Sequence, residues 1–289
     1  EPHYSINNKY GGTVNITGGL IASTKTNAII NSGTINITGG KITCAASAAA
    51  INNNENGILN ISSGQIITSN TQKSQAVYNN LGTTNISGDA YLESKSTNRA
   101  TVHNYQGTVN ITGGEIVAKG SFSAVLNADI MTIGDNSDPL DITSPVITGA
   151  TYGLEINSGK TVTVYDGIFK GKTAGINDTS RTTHDNNLEF DTTGTETISG
   201  TTYHTAVLKQ TSNQHTVHFD EQSGDDVDDI TVDDDKAIGQ LPTTSKTGTR
   251  FIGWFTEAQG GEQIYSSTKV TEDVTYYAHF TNSETVCVP

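Results

Sequence analysis

Cysteine, proline, methionine and tryptophan are scarce in this chain of 289 residues, which has 2 Cys, 5 Pro, 1 Met and 1 Trp. Because Cys44 and Cys287 are the only cysteines, they cannot form a disulfide framework or a thiolate metal site, and we expect both thiols to be free. Apolar residues make up 33% of the chain, which is enough for a core, but no apolar run reaches membrane-spanning length. The composition therefore excludes disulfide-rich, collagen-like and membrane-inserted proteins.

Threonine, glycine and asparagine are abundant instead, with 45 Thr, 30 Gly and 26 Asn. These residues are poor helix formers and suit short strands joined by tight corners, so the composition predicts an all-β protein. The formal net charge of -14 should repel phosphate backbones and anionic lipids. We therefore expect no nucleic-acid partner, and nothing in the composition indicates a cofactor.

A repeat organises the first two thirds of the chain. The segment Gly12-Thr-Val-Asn-Ile-Thr-Gly-Gly19 recurs in copies that begin at Gly33, Gly57, Gly82 and Gly107, so the starting positions advance by nearly equal steps. Each period contains three short apolar pieces separated by Gly, Asn, Ser or Thr, which is the pattern of strands and not of helices. The third piece ends on Asn, as at Asn31 and Asn79, and we expect this residue to form a corner in a left-handed conformation or to bond its own turn.

Three strands and three corners per period predict a right-handed parallel β-helix of about eight rungs between residues 12 and 208, within a domain spanning residues 1–210. This pattern is similar to pectate-lyase-like and surface-adhesin solenoids, a similarity of architecture and not of function. Residues 4–8 resemble the third strand of the later repeats. We therefore expect the chain to start inside a solenoid with further rungs or modules upstream and possibly downstream.

Alternation within each strand assigns the two faces of the coil. The aliphatic residues of the repeat point inward, and their neighbours form an outward row of Thr and Asn that we call the outer lattice. The outer lattice, which is the predicted binding face, consists of Thr13, Asn15, Thr17, Thr34, Asn36, Thr38, Asn60, Asn85, Thr108, Asn110 and Thr112, with Ser62, Thr83 and Ser87 as further equivalents.

Two other interpretations of the outer lattice stay open. Its Asn-Ile-Thr and Asn-Ile-Ser triplets match the N-glycosylation pattern, although the strand order alone produces that match. Regularly spaced hydroxyl groups are also typical of ice-binding solenoids, but Ile58 interrupts the threonine row. Ladders of Asn and Thr that satisfy one another along the stack explain the same residues without any ligand.

The C-terminal part of the chain has a different composition. Residues 211–289 contain 14 acidic and 4 basic residues, against 16 and 12 in residues 1–210. Five blocks stand out in this segment, which are His218-Phe-Asp220, Lys236-Ala-Ile-Gly-Gln-Leu-Pro242, Lys246-Thr-Gly-Thr-Arg-Phe-Ile-Gly-Trp-Phe-Thr256, Gly260-Gly261 and Val274-Thr-Tyr-Tyr-Ala-His-Phe280.

These blocks resemble the internalin B-repeat, also called the Listeria/Bacteroides-type repeat, over residues 215–281. The resemblance implies a small β-grasp-like domain at 211–289, found in bacterial surface and secreted proteins, with no catalytic role. The aromatic residues of this segment are expected to be its core and not a sugar-binding platform. They are Phe251, Trp254, Phe255, Tyr265, Tyr276 and Tyr277.

Catalytic and metal candidates are few. Asp178, Arg181, His184 and Asp185 are the one dense group of the kind that carbohydrate-active β-helix enzymes use, but a solvated loop explains them more simply. Asp225, Asp226, Asp228 and Asp229 could supply oxygen ligands to Ca²⁺, but the alternating ligands and glycine of an EF-hand loop are missing.

The sequence thus predicts a fragment of an extracellular bacterial cell-surface or secreted protein that is not an enzyme. Its expected role is adhesive or structural, with a host or environmental glycan or a surface protein as the partner of the solenoid and the B-repeat as a spacer or assembly module. A carbohydrate-active enzyme or polysaccharide-binding module is the alternative, and ice binding by the Thr/Asn row is the third possibility.

Overall fold

The computed structural model describes residues 4–137, 143–211 and 214–282. The chain divides into two compact units, Glu1–Gln210 and Thr211–Pro289. The described residues are almost entirely β, and their only helical segment is a 3-10 turn at Thr179–Arg181. No helix in these three ranges has the length and apolar character needed to cross a lipid bilayer.

The first unit contains strands β1 to β21. Their bounds are β1 Ile6–Asn8, β2 Thr13–Ser23, β3 Ile29–Asn31, β4 Thr34–Cys44, β5 Ala49–Asn53, β6 Ile58–Thr68, β7 Gln75–Ile86, β8 Tyr91–Ser94, β9 Val102–Ile111, β10 Glu115–Ala118, β11 Val125–Asn127, β12 Ile130–Ile133, β13 Val146–Gly149, β14 Tyr152–Ile156, β15 Val162–Val164, β16 Ile168–Gly171, β17 Ala174–Ile176, β18 Thr182–Thr183, β19 Leu188–Asp191, β20 Thr195–Ile198 and β21 Thr201–Gln210.

Parallel pairing between successive repeats builds a β-solenoid. Asn15 of β2 pairs with Asn36 of β4, which pairs with Asn60 of β6. Equivalent parallel ladders join β8, β10, β13 and β16 on a second face, and β1, β3, β5 and β7 on a third. The β-solenoid predicted from the repeat is therefore confirmed, with about seven turns instead of about eight.

The inward residues of the repeat form continuous aliphatic columns along the solenoid. Ile35, Leu59 and Val109 are fully buried at equivalent positions of successive turns. Thr84 replaces the aliphatic residue in the turn between Leu59 and Val109, and its hydroxyl donates to Asn79 Oδ1 at 2.9 Å. Each turn thus buries its branched side chains on those of its neighbours, which is the main stabilising contribution in a stack of this kind. Cys44 is a buried free thiol in this core, and Cys287 lies outside the described residues.

Glycine recurs at the bend where the chain passes from the first face of the turn to the second, which lies inside β2, β4 and β6 and between β9 and β10. Gly19, Gly40, Gly64 and Gly114 all have positive φ, from 81 to 92°. At Gly64 a Cβ atom would also lie 2.9 Å from the carbonyl oxygen of Gly40 in the turn below. The corner therefore requires glycine because of both its left-handed backbone and the close approach of the neighbouring turn.

The asparagine at the end of the third strand does not form a left-handed corner. Asn31, Asn53 and Asn79 are strand residues with fully buried side chains. Asn53 occupies the position aligned with Asn31, because the two residues pair in the parallel ladder. The expected left-handed corner is therefore wrong for these residues, although the bond to the turn is present, since Asn53 Nδ2 donates to the Gly57 carbonyl at 3.2 Å.

These asparagines form a buried hydrogen-bonded row, which we call the inner ladder. Each carboxamide nitrogen donates to the carboxamide oxygen of the next turn at 2.8–3.0 Å, so that one chain of bonds runs along the solenoid. The members of the inner ladder are Asn8, Asn31, Asn53, Asn79, Asn104 and Asn127. The ladder satisfies polar groups that would otherwise be buried without partners.

An antiparallel arrangement ends the stack, which explains the missing turn. Strand β21 runs antiparallel to β16, with Ala206 opposite Phe169, and also pairs antiparallel with β19 and β20. Ala206 and Leu208 are buried at the end of the core. The residues that the sequence analysis counted as a further rung therefore cover the edge of the solenoid instead of extending it.

The second unit contains a four-stranded mixed sheet and a two-stranded ribbon. Its strands are β22 Gln214–Asp220, β23 Ile230–Asp233, β24 Lys236–Ala237, β25 Thr249–Phe255, β26 Lys269–Val270 and β27 Val274–Asn282. The sheet order is β23-β22-β27-β25, with β22 and β27 parallel. The described residues of this unit contain no helix, so the β-grasp-like arrangement implied by the resemblance is not confirmed.

The core of the second unit is built around aromatic rings, and it contains three of the six rings that were predicted to form it, Phe251, Trp254 and Tyr276. Trp254 is buried, packs 4.6 Å from Phe219 between ring centroids, and donates its indole N–H to the Pro242 carbonyl at 2.8 Å. Tyr276 is also buried, whereas Tyr265 is exposed. Tyr265 was therefore wrongly expected to belong to the core.

Candidate functional site

The outer lattice contains a second row of hydrogen-bonded asparagines. Asn36, Asn60, Asn85 and Asn110 each donate a side-chain N–H to the carboxamide oxygen of the preceding asparagine in the row, which begins at Asn15, always at 2.8 Å. These residues are exposed or half-buried, in contrast to the inner ladder. The row is held rigidly at the spacing of the turns, which is about 4.8 Å between strands.

Each interior carboxamide of this row uses one N–H and one acceptor position along the stack. A carboxamide has two N–H groups and two lone pairs, so the remaining N–H and lone pair can bond water or a ligand. The row continues beyond the repeats as threonine, because Asn110 pairs with Thr132 and Thr132 with Thr163. This continuation is not evident from the sequence because the later turns lack the Asn-Ile-Thr triplet.

The exposed side chain of Ile58 lies at the position where the threonine row was expected to be interrupted, between Thr34 and Thr83. Ile130 stands next to Thr108 in the same row and is 61% exposed. The face is therefore a polar surface with two apolar interruptions.

The four late-turn catalytic candidates are not brought together as one group. Asp178 pairs with Arg181 at 3.1 Å and also accepts from the Ser180 N–H. Arg181 donates further to the Ile156 carbonyl at 2.9 Å. Hydrogen bonds to Ser180 and the charge of Arg181 lower the pKa of Asp178 below its ordinary value.

Asp185 and His184 have other partners. The Asp185 carboxylate accepts from the Asn187 backbone N–H at 2.8 Å, and the His184 ring packs on Phe190. These contacts stabilise a turn locally.

Two of the four acidic candidates for a metal site also have separate partners. Asp229 bonds the His218 ring at 2.6 Å, and the Asp225 carboxylate accepts from the Ser245 hydroxyl. Within the described ranges, no three His, Cys, Asp or Glu side chains are grouped so that they could hold a metal ion. Asp225, Asp226, Asp228 and Asp229 are therefore only weak candidates for calcium ligands, and a calcium titration tests them.

The structure shows a groove on the third face of the solenoid that the sequence analysis did not identify. It has a volume of about 400 Å³ and is lined by Ser47, Ala48, Lys73, Gln75, Tyr78, Arg99, His103 and Tyr105. We call it the tyrosine groove. Its rings come from adjacent turns, because Tyr78 of β7 pairs with His103 of β9 and Tyr105 follows two residues later on the same side of the strand.

The three rings of the tyrosine groove contact one another. Tyr78 and Tyr105 stack with their centroids 5.9 Å apart and an interplanar angle of 29°. The His103 ring meets both edge-on, at 5.4 and 5.9 Å. Such packing fixes the orientation of each ring and leaves the Tyr105 side chain half-exposed.

His103 is neutral near pH 7. Burial and the nearby charge of Arg99 lower the pKa of its ring to about 4. The Gln75 amide nitrogen lies 3.1 Å from His103 Nδ1. Because an amide nitrogen can only donate, Nδ1 accepts this bond and the proton of the neutral ring is on Nε2. Burial and the proximity of Tyr105 raise the pKa of Tyr78, so this phenol keeps its proton.

A sequence signal for the groove existed. Tyr78 and His103 occupy the same outward position in successive copies of the third strand, one repeat apart. The signal is easily missed because the inward Val and Asn of that strand define the repeat, whereas its outward residues do not recur.

Comparison with known proteins identifies one segment. Residues 215–279 match the family model of the Listeria-Bacteroides repeat domain, which confirms the resemblance predicted for the second unit. The similarity of the solenoid to pectate-lyase-like proteins is not confirmed. No curated protein matches the chain. The presence of a Listeria-Bacteroides repeat suggests that this is a bacterial surface-type protein.

Proposed function

We propose that this chain is an adhesive or structural part of a protein on the bacterial cell surface or secreted from the cell, and that it binds rather than catalyses. The observation that carries the proposal is the row of Asn15, Asn36, Asn60, Asn85 and Asn110, which holds identical polar groups at a regular spacing. A rigid repetitive surface can bind a repetitive partner at several turns at once, so that weak contacts add up. The second unit acts as a spacer or assembly module in this proposal.

The proposed partner of the outer lattice is a glycan or a surface protein with repeated hydrogen-bonding groups. Carboxamide and hydroxyl groups both donate and accept, which matches the hydroxyl groups of polysaccharides. The same groups can also hydrogen-bond to ordered water. Ice binding is therefore tested separately.

Binding should be tested with the purified chain on an array of polysaccharides and host glycoproteins. Thr83→Lys places a long charged side chain in the outer lattice and should lower binding to any captured glycan by about tenfold. Thr43→Lys makes the same change on the second face, where Thr43 is half-buried on β4, and should leave binding unchanged. Equal effects of the two substitutions would refute the outer lattice as the binding face.

The absence of catalysis needs its own assay. Incubation of the chain with the glycans that it binds should release no reducing ends. Release that is lost in Asp178→Asn would instead support a carbohydrate-active enzyme. Inhibition of ice growth by the wild-type chain but not by Thr83→Lys would support the third possibility.

A further inference from the structure

The tyrosine groove combines two features that no other described surface of the solenoid shares, a stacked aromatic pair and two positive side chains beside it. The exposed ring of Tyr105 presents a flat apolar surface on the rigid support of Tyr78 and His103. Aromatic faces of this kind contact the C–H groups of sugar rings while the phenol oxygens bond the hydroxyl groups.

The charge of the groove is positive although the chain is acidic. Lys73 and Arg99 both line it, and its lining includes no Asp or Glu. Neither of these two side chains forms an ion pair with a carboxylate in the described part of the chain. Because His103 is neutral at pH 7, Lys73 and Arg99 supply this charge. An arginine without a carboxylate partner is suited to bind a carboxylate through two parallel hydrogen bonds.

The size of the groove fits a small part of a polymer. About 400 Å³ falls within the range of about 300–1,000 Å³ that is usual for small-molecule sites. Gln75 and Ser47 add neutral donors and acceptors at the same surface. Apart from its rings, the lining offers only Ala48 as an apolar side chain, which disfavours a hydrophobic peptide.

We propose that the tyrosine groove binds a carboxylate-bearing sugar unit of an acidic polysaccharide. In this proposal the sugar ring stacks on Tyr105, and its carboxylate pairs with Arg99, with Lys73 as a second positive contact. The site lies on a different face from the outer lattice, so it goes beyond the proposed function and can be tested separately.

The test is a calorimetric titration of the full chain with an oligogalacturonate and with the same oligomer after its carboxyl groups have been reduced to alcohols. The acidic oligomer should bind at least about tenfold more tightly than the reduced one, because the reduced oligomer loses its charge-assisted bonds. Its affinity should fall as salt is raised from about 20 mM to about 500 mM, since ions screen the exposed charges.

Variants locate the site. Arg99→Gln and Tyr105→Ala should each lower the affinity for the acidic oligomer by about tenfold. Lys41→Gln removes the same charge from an exposed position on β4 and should change the affinity by less than about twofold. Thr83→Lys should have no effect here, which separates this site from the outer lattice. Circular dichroism and thermal melting of each variant show that it is folded.

Three results would overturn the proposal. The first is equal affinity for the acidic and the reduced oligomer. The second is loss of affinity in Lys41→Gln as large as that in Arg99→Gln. The third is tighter binding of a poly-glutamate peptide than of the oligogalacturonate, which would identify an acidic protein segment as the occupant.

Discussion

The inner ladder should contribute far more to stability than the outer row of asparagines, although both are made of the same carboxamide bonds. The comparison is Asn79→Ala in the inner ladder against Asn85→Ala in the outer row, both in strand β7. Asn79 is fully buried, whereas Asn85 is partly exposed. The two variants lose the same atoms. The difference between their losses of unfolding free energy therefore measures the effect of burial on the carboxamide.

The expected cost of Asn79→Ala follows from its bonds. The Asn79 nitrogen donates to Asn104 Oδ1 and to the Gly82 and Gln106 carbonyls at 2.9–3.0 Å. Its oxygen accepts from Asn53 Nδ2 and Thr84 Oγ1 at 2.9 Å. The substitution leaves at least two buried groups, Asn104 Oδ1 and the Thr84 hydroxyl, without these partners. A stranded buried polar group costs about 1–3 kcal/mol, so we expect a loss of about 3–5 kcal/mol.

The expected cost of Asn85→Ala is much smaller. It removes the bonds to Asn60 and from Asn110, both 2.8 Å long. Water can reach the groups that are left, so only the net value of the two bonds is lost. At the lower end of the usual range this is about 0.5 kcal/mol for each bond, or about 1 kcal/mol in all.

Urea unfolding followed by far-UV circular dichroism measures both losses. Trp254, the only tryptophan, is buried in the second unit, so its fluorescence follows that unit separately and should show the same midpoint in both variants. Hydrogen exchange in the peptides around residues 75–111 then shows whether the loss is local to the affected turns. Equal losses in the two variants, or a loss below about 1 kcal/mol in Asn79→Ala, would refute the reasoning.

Three further predictions concern pH, a corner and calcium. The pKa of His103 is lowered from its unfolded value of 6.5 to about 4. The unfolded chain therefore binds the extra proton first, and stability should be lost as pH falls from 6.5 towards 4, by up to about 3 kcal/mol. Urea midpoints at about pH 7 and pH 4.5 should fall less in His103→Gln than in the wild type, and an equal fall would contradict the assignment. Gly64→Ala should destabilise the solenoid by about 1–3 kcal/mol because of its positive φ and the Gly40 carbonyl. Gly18→Ala, where a Cβ meets no atom within 4 Å, should be close to neutral in the same urea assay. Calcium at millimolar concentration should give no saturable heat with the acidic segment 225–229, because its carboxylates are not grouped; a saturable titration lost in Asp226→Asn would show otherwise.

The sequence alone determined the elements that depend on local periodicity. Alternation of Ile or Val with Thr or Asn separates the buried from the exposed side of each strand, and the nearly constant spacing of the repeats stacks equivalent strands in register. The buried Ile35 and Leu59 and the outward Asn36 and Asn60 follow from this pattern without any knowledge of neighbouring turns. The Listeria-Bacteroides repeat was identifiable for a similar reason, since its residues occur in a fixed order.

Only the tertiary structure decided features that depend on contacts between different turns. The sequence predicted a corner at Asn79 and an outward side chain at Asn85, but only the stacking of the turns shows that the Asn79 carboxamide lies in a dry interior. Tyr78, Arg99 and Tyr105 form one groove because two turns and a corner meet there, a meeting that no local pattern encodes. The antiparallel strand β21 was likewise hidden, since its direction relative to β16 is set by the return of the chain and not by its alternation. Local periodicity determines which side of a strand faces inward, while stability and binding depend on what the neighbouring turns place beside it.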